Sequence, residues 1–108
     1  MSMVLILCAV NGYSAVDEWL RALADPTRRQ VVEALGTGAR RAGELAATAG
    51  VPAAVMSRHL RVLLAAGLVD DERSVTDARV RRFFLRREAV SSLQSWLAAV
   101  LEGEPIRG

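Results

Sequence analysis

Three glycines, at positions 36, 50 and 67, divide the centre of this 108-residue chain into short segments with helical periodicity. Glycine often ends an α-helix because it adopts the left-handed conformation without steric cost. Helices of this length are marginal in isolation and are stabilised by packing their apolar faces together. With 52% apolar and 24% charged residues, the composition is that of one folded domain. We therefore expect a mainly α fold of short packed helices.

Capping signals bound the first two predicted helices. Helix one begins at a capping box of Ser14 and Asp17, and its apolar residues recur at i, i+3, i+4 and i+7: Val16, Trp19, Leu20 and Leu23. Asp25 and Pro26 supply the N-cap and the first-turn proline of helix two, which Gly36 ends. The inward face of helix two is predicted to contain Val31, Val32 and Leu35. A loop over 37–41 follows.

The next two predicted helices form a helix-turn-helix. Residues 42–49 make about two turns, which Gly50 closes, and residues 52–66 form a strongly amphipathic helix. The inward residues of the second helix are predicted to be Met56, Leu60, Leu63 and Leu64. Its opposite face combines small residues, which permit close approach to DNA, with arginines that reach bases and phosphates: Ala53, Ala54, Ser57, Arg58 and Arg61.

A β-hairpin is predicted after Gly67. Leu68 and Val69 open its first strand, residues 70–78 form a polar turn-bearing stretch, and residues 80–85 form the second strand. Phe83 and Leu85 share one face and are expected to join the core. Arginines at the tip and on the second strand suit a wing that lies along the DNA backbone or minor groove: Arg73, Arg79, Arg81 and Arg82.

All 14 basic residues are arginine, and their distribution is uneven. Residues 58–87 contain eight arginines and four acidic residues, whereas the rest of the chain contains six arginines and eight acidic residues. A basic stretch of this kind is typical of a phosphate-binding surface, and a merely solvated face has the same composition. The helix-turn-helix and the hairpin together favour the first interpretation.

The last predicted helix, over 88–101, has more apolar surface than a small core absorbs. Its apolar stripe, with Trp96 beside it, consists of Val90, Leu93, Leu97, Val100 and Leu101. An exposed apolar stripe indicates a protein partner.

An unbroken apolar run over 3–10 precedes the first helix. It is too short to span a membrane, which takes about 20 residues. A secretory signal requires basic residues at its start, and none occurs before Arg21. A lipoprotein signal requires a small residue before its cysteine, whereas Leu7 precedes Cys8. We expect a cytoplasmic protein with an apolar extension over 1–13, a DNA-binding and dimerisation domain over 14–101, and a tail over 102–108.

Four segments resemble, in order and spacing, the ArsR/SmtB family of winged-helix transcriptional repressors. They are ALADPTRRQVVEAL at 22–35, GELA at 43–46, SRHLRVLLAAGLV at 57–69 and DARVRRFFLR at 77–86, and the resemblance extends over about residues 16–101. It implies a winged helix-turn-helix of about five helices and a two-stranded wing, in which the helix from Pro52 is the recognition helix.

The resemblance also implies a homodimer that represses its own or a neighbouring operon from an inverted-repeat operator in double-stranded DNA. The first and last helices would form the dimer interface, and the residues expected there are Trp19, Leu20, Leu23, Leu93, Trp96, Leu97 and Val100. The recognition helix departs from the family in starting with Pro52-Ala53-Ala54 instead of polar residues, so base contacts would rest on Ser57, Arg58 and Arg61.

Two other functions are compatible with the sequence. A winged-helix adaptor that binds protein instead of DNA would suit the alanines at 53 and 54, but it has no use for the arginines of 58–87. A redox-responsive repressor would have to act through Cys8, the only cysteine in the chain. An enzyme is not expected, because no acid–base pair or nucleophile constellation can be recognised.

We predict that folding and DNA affinity are independent of metal ions. Metal sensors of the resembled family carry cysteines in the helix that corresponds to 43–49, or His and carboxylate ligands in the last helix. Here the first helix has no cysteine, the last has no histidine, and the chain has one cysteine and one histidine in all. Thermal melts and DNA titrations with and without a chelator should therefore coincide, and a stoichiometric zinc or nickel ion that changes DNA affinity would contradict the prediction.

Overall fold

The computed structural model describes residues 15–103, which contain five helices and one two-stranded antiparallel sheet. The elements are α1 (Ala15–Ala22), α2 (Pro26–Leu35), α3 (Ala42–Ala49), α4 (Ala53–Ala66), β1 (Val69–Arg73), β2 (Arg81–Leu85) and α5 (Arg87–Glu102). This confirms the expected winged helix-turn-helix. The apolar extension over 1–13, the Ser14 half of the predicted capping box and residues 104–108 of the tail lie outside the described residues.

Helix α4 is the centre of the fold and packs against α1, α2, α3 and β1. Its predicted inward residues are confirmed, because Met56, Leu60 and Leu63 are fully buried and Leu64 packs at the edge of the core. Burying side chains of this size is worth roughly 1.5 to 3 kcal/mol each. The opposite face of α4 is therefore held outward by the core.

Local geometry confirms three of the predicted helix ends, at Asp25, Gly50 and Gly67, and shifts a fourth. The Asp25 side chain accepts hydrogen bonds from the backbone N–H groups of Thr27, at 2.7 Å, and Arg28, at 3.3 Å, at the start of α2. Gly50 and Gly67 end α3 and α4 in the left-handed conformation, with φ of 68° and 78°. Pro52 is the N-cap of α4, so the helix begins at Ala53, one residue later than predicted.

The first strand of the hairpin is longer than the sequence suggests. Residues 70–73 were expected in the polar turn, but they form most of β1, with Asp71 opposite Phe83 and Glu72 opposite Arg82 in the register. The facing pair of Glu72 and Arg82 is oppositely charged, and Asp71 forms an ion pair with Arg81, so charge attraction stabilises a strand that has few apolar residues. We call β1, β2 and the turn over 74–80 between them the wing.

The predicted loop over 37–41 contains an unpredicted sheet contact. The N–H of Arg40 donates to the carbonyl of Phe83, at 3.0 Å, and the N–H of Phe83 donates to the carbonyl of Arg40, at 2.8 Å. Both backbone hydrogen-bonding groups of Phe83 are therefore used by Arg40, on the edge of β2 away from β1. The Phe83 side chain is buried as predicted, with Leu85 packed beside the core. This bridge holds the start of α3 against the wing.

Helix α5 packs on α1, and the expectation that Leu93 belongs to the exposed part of its apolar stripe is wrong. Leu93 is buried within the subunit, whereas Leu97 and Val100 are about half exposed and Leu101 is almost fully exposed. Leu93 lies one turn closer to the start of the helix, where α5 still covers the domain.

Among the described helices, none is long and apolar enough to cross a membrane.

We predict that Asp25 contributes stability that depends on pH. Although partial burial acts in the opposite direction, the backbone hydrogen bonds from Thr27 and Arg28 lower the pKa of Asp25. Electrostatic interactions with His59 and Arg28 also lower it. A lowered pKa means that this stability is complete above the pKa of the unfolded chain and is lost as pH falls through the folded value.

Asp25→Ala should therefore lower the midpoint of thermal unfolding by several degrees at pH 7, and the deficit should shrink as pH falls toward 3. Asp25→Asn is the control, because an asparagine caps the helix without a charge. A deficit for Asp25→Ala that is the same at both pH values would contradict this account.

Candidate nucleic-acid interface

A groove of about 430 Å³ runs between the outer side of α4, the start of α3 and the wing, and we call it the wing groove. Its floor is apolar and includes Leu60, Leu64 and Phe83. Its polar lining consists of Arg41, Ser57, Arg61, Arg79 and Arg81. Four guanidinium groups around one groove make a strongly positive surface that suits a polyanion.

The structure brings together some of the predicted DNA-binding residues and separates others. Ser57, Arg61, Arg79 and Arg81 share the wing groove, and Ala53 and Ala54 are exposed in the first turn of α4. Arg58 lies on the opposite flank of α4. Arg73 donates to the carbonyl of Ala78, at 2.8 Å, inside the turn of the wing, and Arg82 faces away from Arg81 on β2.

The guanidinium groups of Arg58 and Arg61 have no ion pair or hydrogen bond with any side chain or carbonyl between residues 15 and 103. Both side chains are exposed on a helix that is fixed by its buried face. An unpaired arginine on a rigid element is ready to bind an external acceptor with little loss of prior interactions.

Arg79 is held by the turn of the wing. Its Nε donates to Asp77 at 3.1 Å and its backbone N–H donates to the same carboxylate at 3.0 Å. These two hydrogen bonds, with the charge of Arg41 nearby, lower the pKa of Asp77. The Arg79 side chain is 91% exposed, so the pair is a surface ion pair of small energy that a phosphate can displace.

Arg81 is more firmly held than Arg79. It forms an ion pair with Asp71 on the neighbouring strand, and its guanidinium lies over the ring of Phe83, 4.7 Å from the centroid. A cation over an aromatic face is attracted to it. Arg81 therefore braces the wall of the groove as well as adding charge to it.

Arg41 is a member of the groove that sequence reasoning missed. It stands at the N-cap position of α3, where its backbone N–H donates to Glu44 at 2.9 Å. A cation at a helix N-terminus is unfavourable, so the pair Arg40-Arg41 directly before the first helix of a helix-turn-helix was a usable signal of an external anion. The partner in space, the wing, could not be known without the Arg40–Phe83 bridge.

The opposite flank of α4 carries a second basic cluster. Arg28 of α2 and Arg58 and His59 of α4 line an open pocket of about 250 Å³ with Val55 and Val62, and we call it the flank pocket. The Nη1 of Arg28 lies 3.3 Å from the Nδ1 of His59. Basic groups thus lie on both sides of the exposed face of α4.

The predicted dimer residues fall into two groups. Leu20, Leu97 and Val100 are 44%, 49% and 48% exposed, on α1 and α5. Trp19 and Leu23 pack against the subunit's own core, Trp96 is half-buried, and Leu93 is buried. Among the described residues, most of the exposed large apolar side chains are therefore on α1 and α5, and the others are Val62 on α4 and Val75 on the wing. Within residues 15–103, no group of three or more His, Cys, Asp or Glu side chains is placed to hold a metal ion.

Two helices joined at a left-handed glycine, followed by an antiparallel hairpin beside the second helix, define a winged helix-turn-helix protein. A family described as a helix-turn-helix domain matches residues 23–72, from the end of α1 to β1. The HTH-type transcriptional regulator Rv2034 of Mycobacterium tuberculosis is 44% identical over 62 residues, covering 57% of this chain and 58% of the relative.

Two solved structures extend the likeness to most of the chain. The structure of a possible transcriptional regulator for arsenical resistance is 33% identical, covers 75% of this chain and 81% of its own, and has a TM-score of 0.65. The structure of the ArsR family transcriptional regulator RHA00566 is 28% identical, covers 82% of this chain and 94% of its own, and has a TM-score of 0.73. The chain belongs to the ArsR/SmtB family of winged-helix regulators. It spans between 44% and 58% of the length of the curated relatives it matches.

Proposed function

We propose that this chain is a DNA-binding transcriptional regulator that acts as a homodimer and represses transcription from the sites it occupies. The observation that carries the proposal is the exposed face of α4, where Arg58 and Arg61 have no partner among residues 15–103 and the helix is fixed by its buried face. The relatives are transcriptional regulators by name, and the resemblance found in the sequence supports repression.

The dimensions of α4 fit the major groove of DNA. A helix with its side chains is about 10 to 12 Å across, and the major groove is about 12 Å wide. Ala53 and Ala54 let the start of the helix approach the bases, and Ser57 and Arg61 follow on the same exposed face. We assign base contacts to this face.

The groups around the helix are placed to bind phosphates. Arg41 at the start of α3 and Arg79 on the wing flank the wing groove, and both carry their charge toward the side on which Arg61 lies. Phosphate contacts of this kind position a protein on DNA and carry no sequence information themselves. Arg79 would exchange Asp77 for a phosphate, which costs little because the pair is exposed.

The exposed apolar residues of α1 and α5 supply the dimer contact. Leu20, Leu97 and Val100 lie away from the wing groove, so a partner there leaves α4 free to bind DNA. A two-fold dimer presents two copies of α4 and requires inverted half-sites about 10 base pairs apart, or a multiple of that helical turn.

We predict that arginines on the helix and on the wing have separable effects on DNA binding. Arg61→Ala should weaken binding to a duplex selected by the purified protein far more than binding to a scrambled duplex. An arginine bidentate to guanine discriminates by roughly 1 to 3 kcal/mol. Arg79→Ala should weaken binding to both duplexes about equally. It should also reduce the magnitude of the slope of log affinity against log salt by close to one unit. Titrations of both variants at several salt concentrations measure these quantities.

Arg86→Ala is the matched control for that titration. It removes one positive charge from an arginine that pairs with Asp70 and Glu88 outside the wing groove, so it should change neither the discrimination nor the salt slope strongly. Equal losses for Arg61→Ala on the two duplexes would remove the assignment of base contacts to α4. Failure of the unsubstituted chain to shift any duplex would favour the adaptor function.

We predict that Leu97→Asp converts the dimer to a monomer, because it places a charge in the apolar surface formed by α1 and α5. Val75→Asp is the control, because this substitution adds the same charge at a residue that is fully exposed at the tip of the wing. Light scattering at micromolar concentration distinguishes the two states. A monomer for the unsubstituted chain, or a dimer for Leu97→Asp, would contradict the proposed interface.

A further inference from the structure

The flank pocket contains a histidine whose protonation pattern is set by its neighbour. The distance of 3.3 Å between Arg28 Nη1 and His59 Nδ1 is a hydrogen bond, and a guanidinium can only donate. The Nδ1 of His59 must therefore be the acceptor. In a neutral imidazole the proton then resides on Nε2, which makes that atom a donor.

Arg28 is itself held in place by the end of α1. Its Nε donates to the carbonyl of Ala22 at 2.6 Å, and its Nη2 donates to the carbonyl of Arg21 at 3.4 Å. The guanidinium of Arg28 therefore connects the last carbonyls of α1 to the imidazole on α4. Because Arg28 is fixed by these carbonyls, it holds the ring of His59 in one orientation. The acidic neighbour, Asp25, is engaged by the N–H groups of Thr27 and Arg28.

The flank pocket lies beside α4, where a DNA strand would run if α4 occupied the major groove. A helix seated in the major groove has a phosphodiester strand along each flank, because its width is close to that of the groove. The wing groove lies on one flank of α4, and the flank pocket lies on the other, with Arg58, which has no partner within the described part of the chain.

We propose that the flank pocket is a second phosphate-binding site, in which His59 donates from Nε2 as a neutral group, Arg58 supplies the charge, and Arg28 acts as a positioning residue. The proposal rests on the proposed DNA binding and adds to it a contact on the side of α4 away from the wing. A neutral donor strengthens binding to a phosphate without changing the number of counterions released. The two members of the site should therefore differ in their dependence on salt.

Titration of a selected duplex with substituted full-length chains tests this at mildly alkaline pH, where an imidazole is neutral. His59→Leu should weaken binding about tenfold and leave the salt slope unchanged, whereas Arg58→Ala should lower the slope by close to one unit. His59→Gln should recover most of the lost affinity, because an amide offers an acceptor to Arg28 and a donor to the phosphate.

A role for His59 in packing alone would reverse the order of the two variants, because leucine fills the flank of α4 with apolar atoms and glutamine does not. Binding by His59→Leu that equals or exceeds binding by His59→Gln, with both chains folded by circular dichroism, would overturn the proposal. Absence of DNA binding by the unsubstituted chain would overturn the proposed function itself and this site with it.

The tautomer can be measured without DNA. Nitrogen-15 shifts of the imidazole in the free protein should show the proton on Nε2. Arg28→Gln should alter this pattern, whereas a variant of the wing groove, such as Arg79→Ala, should not. A proton on Nδ1 in the unsubstituted chain would contradict the assigned hydrogen bond and the site built on it.

Discussion

The burial of one face of α4 is the interaction on which the rest of the structure depends. Met56, Leu60 and Leu63 are inaccessible to solvent, and the helix contacts three other helices and the first strand. Because the angle between successive side chains around a helix axis is fixed, burying these three determines the direction of all the remaining side chains of α4. The same packing that stabilises the domain thus aims Ser57, Arg58 and Arg61 outward. Stability and the presentation of the proposed DNA-binding face are one property of this helix.

The second constraint is the backbone bridge between Arg40 and Phe83. It joins the loop before α3 to the wing and places Arg41 beside Asp77 and Arg79. Phe83 has its backbone in this bridge, its ring in the core and the guanidinium of Arg81 over its face. The groove is consequently built from segments about 40 residues apart, and two of its arginines, Arg79 and Arg81, are held by acidic partners.

Local signals predicted the elements well, and contacts between distant segments escaped prediction. The cap at Asp25 and the glycines at 50 and 67 act within one turn of the chain, so their effects can be recognised from neighbouring residues. The length of β1 depends on pairing with β2, and the burial of Leu93 depends on packing between segments that are distant in the sequence. Arg28 and His59 are 31 positions apart, and neither residue alone indicates the other. Arg58 and Arg61 were recognisable because helical spacing places them opposite the apolar face.

The central claim is that the exposed face of α4 and the wing form the DNA surface, while α1 and α5 are reserved for the partner subunit. Backbone amide shifts of the isotope-labelled protein, followed as a selected duplex is added, test this directly. The account predicts the largest changes over 53–61 and 74–82, with small changes over 94–101. Changes concentrated in α5, or spread evenly along the chain, would contradict it.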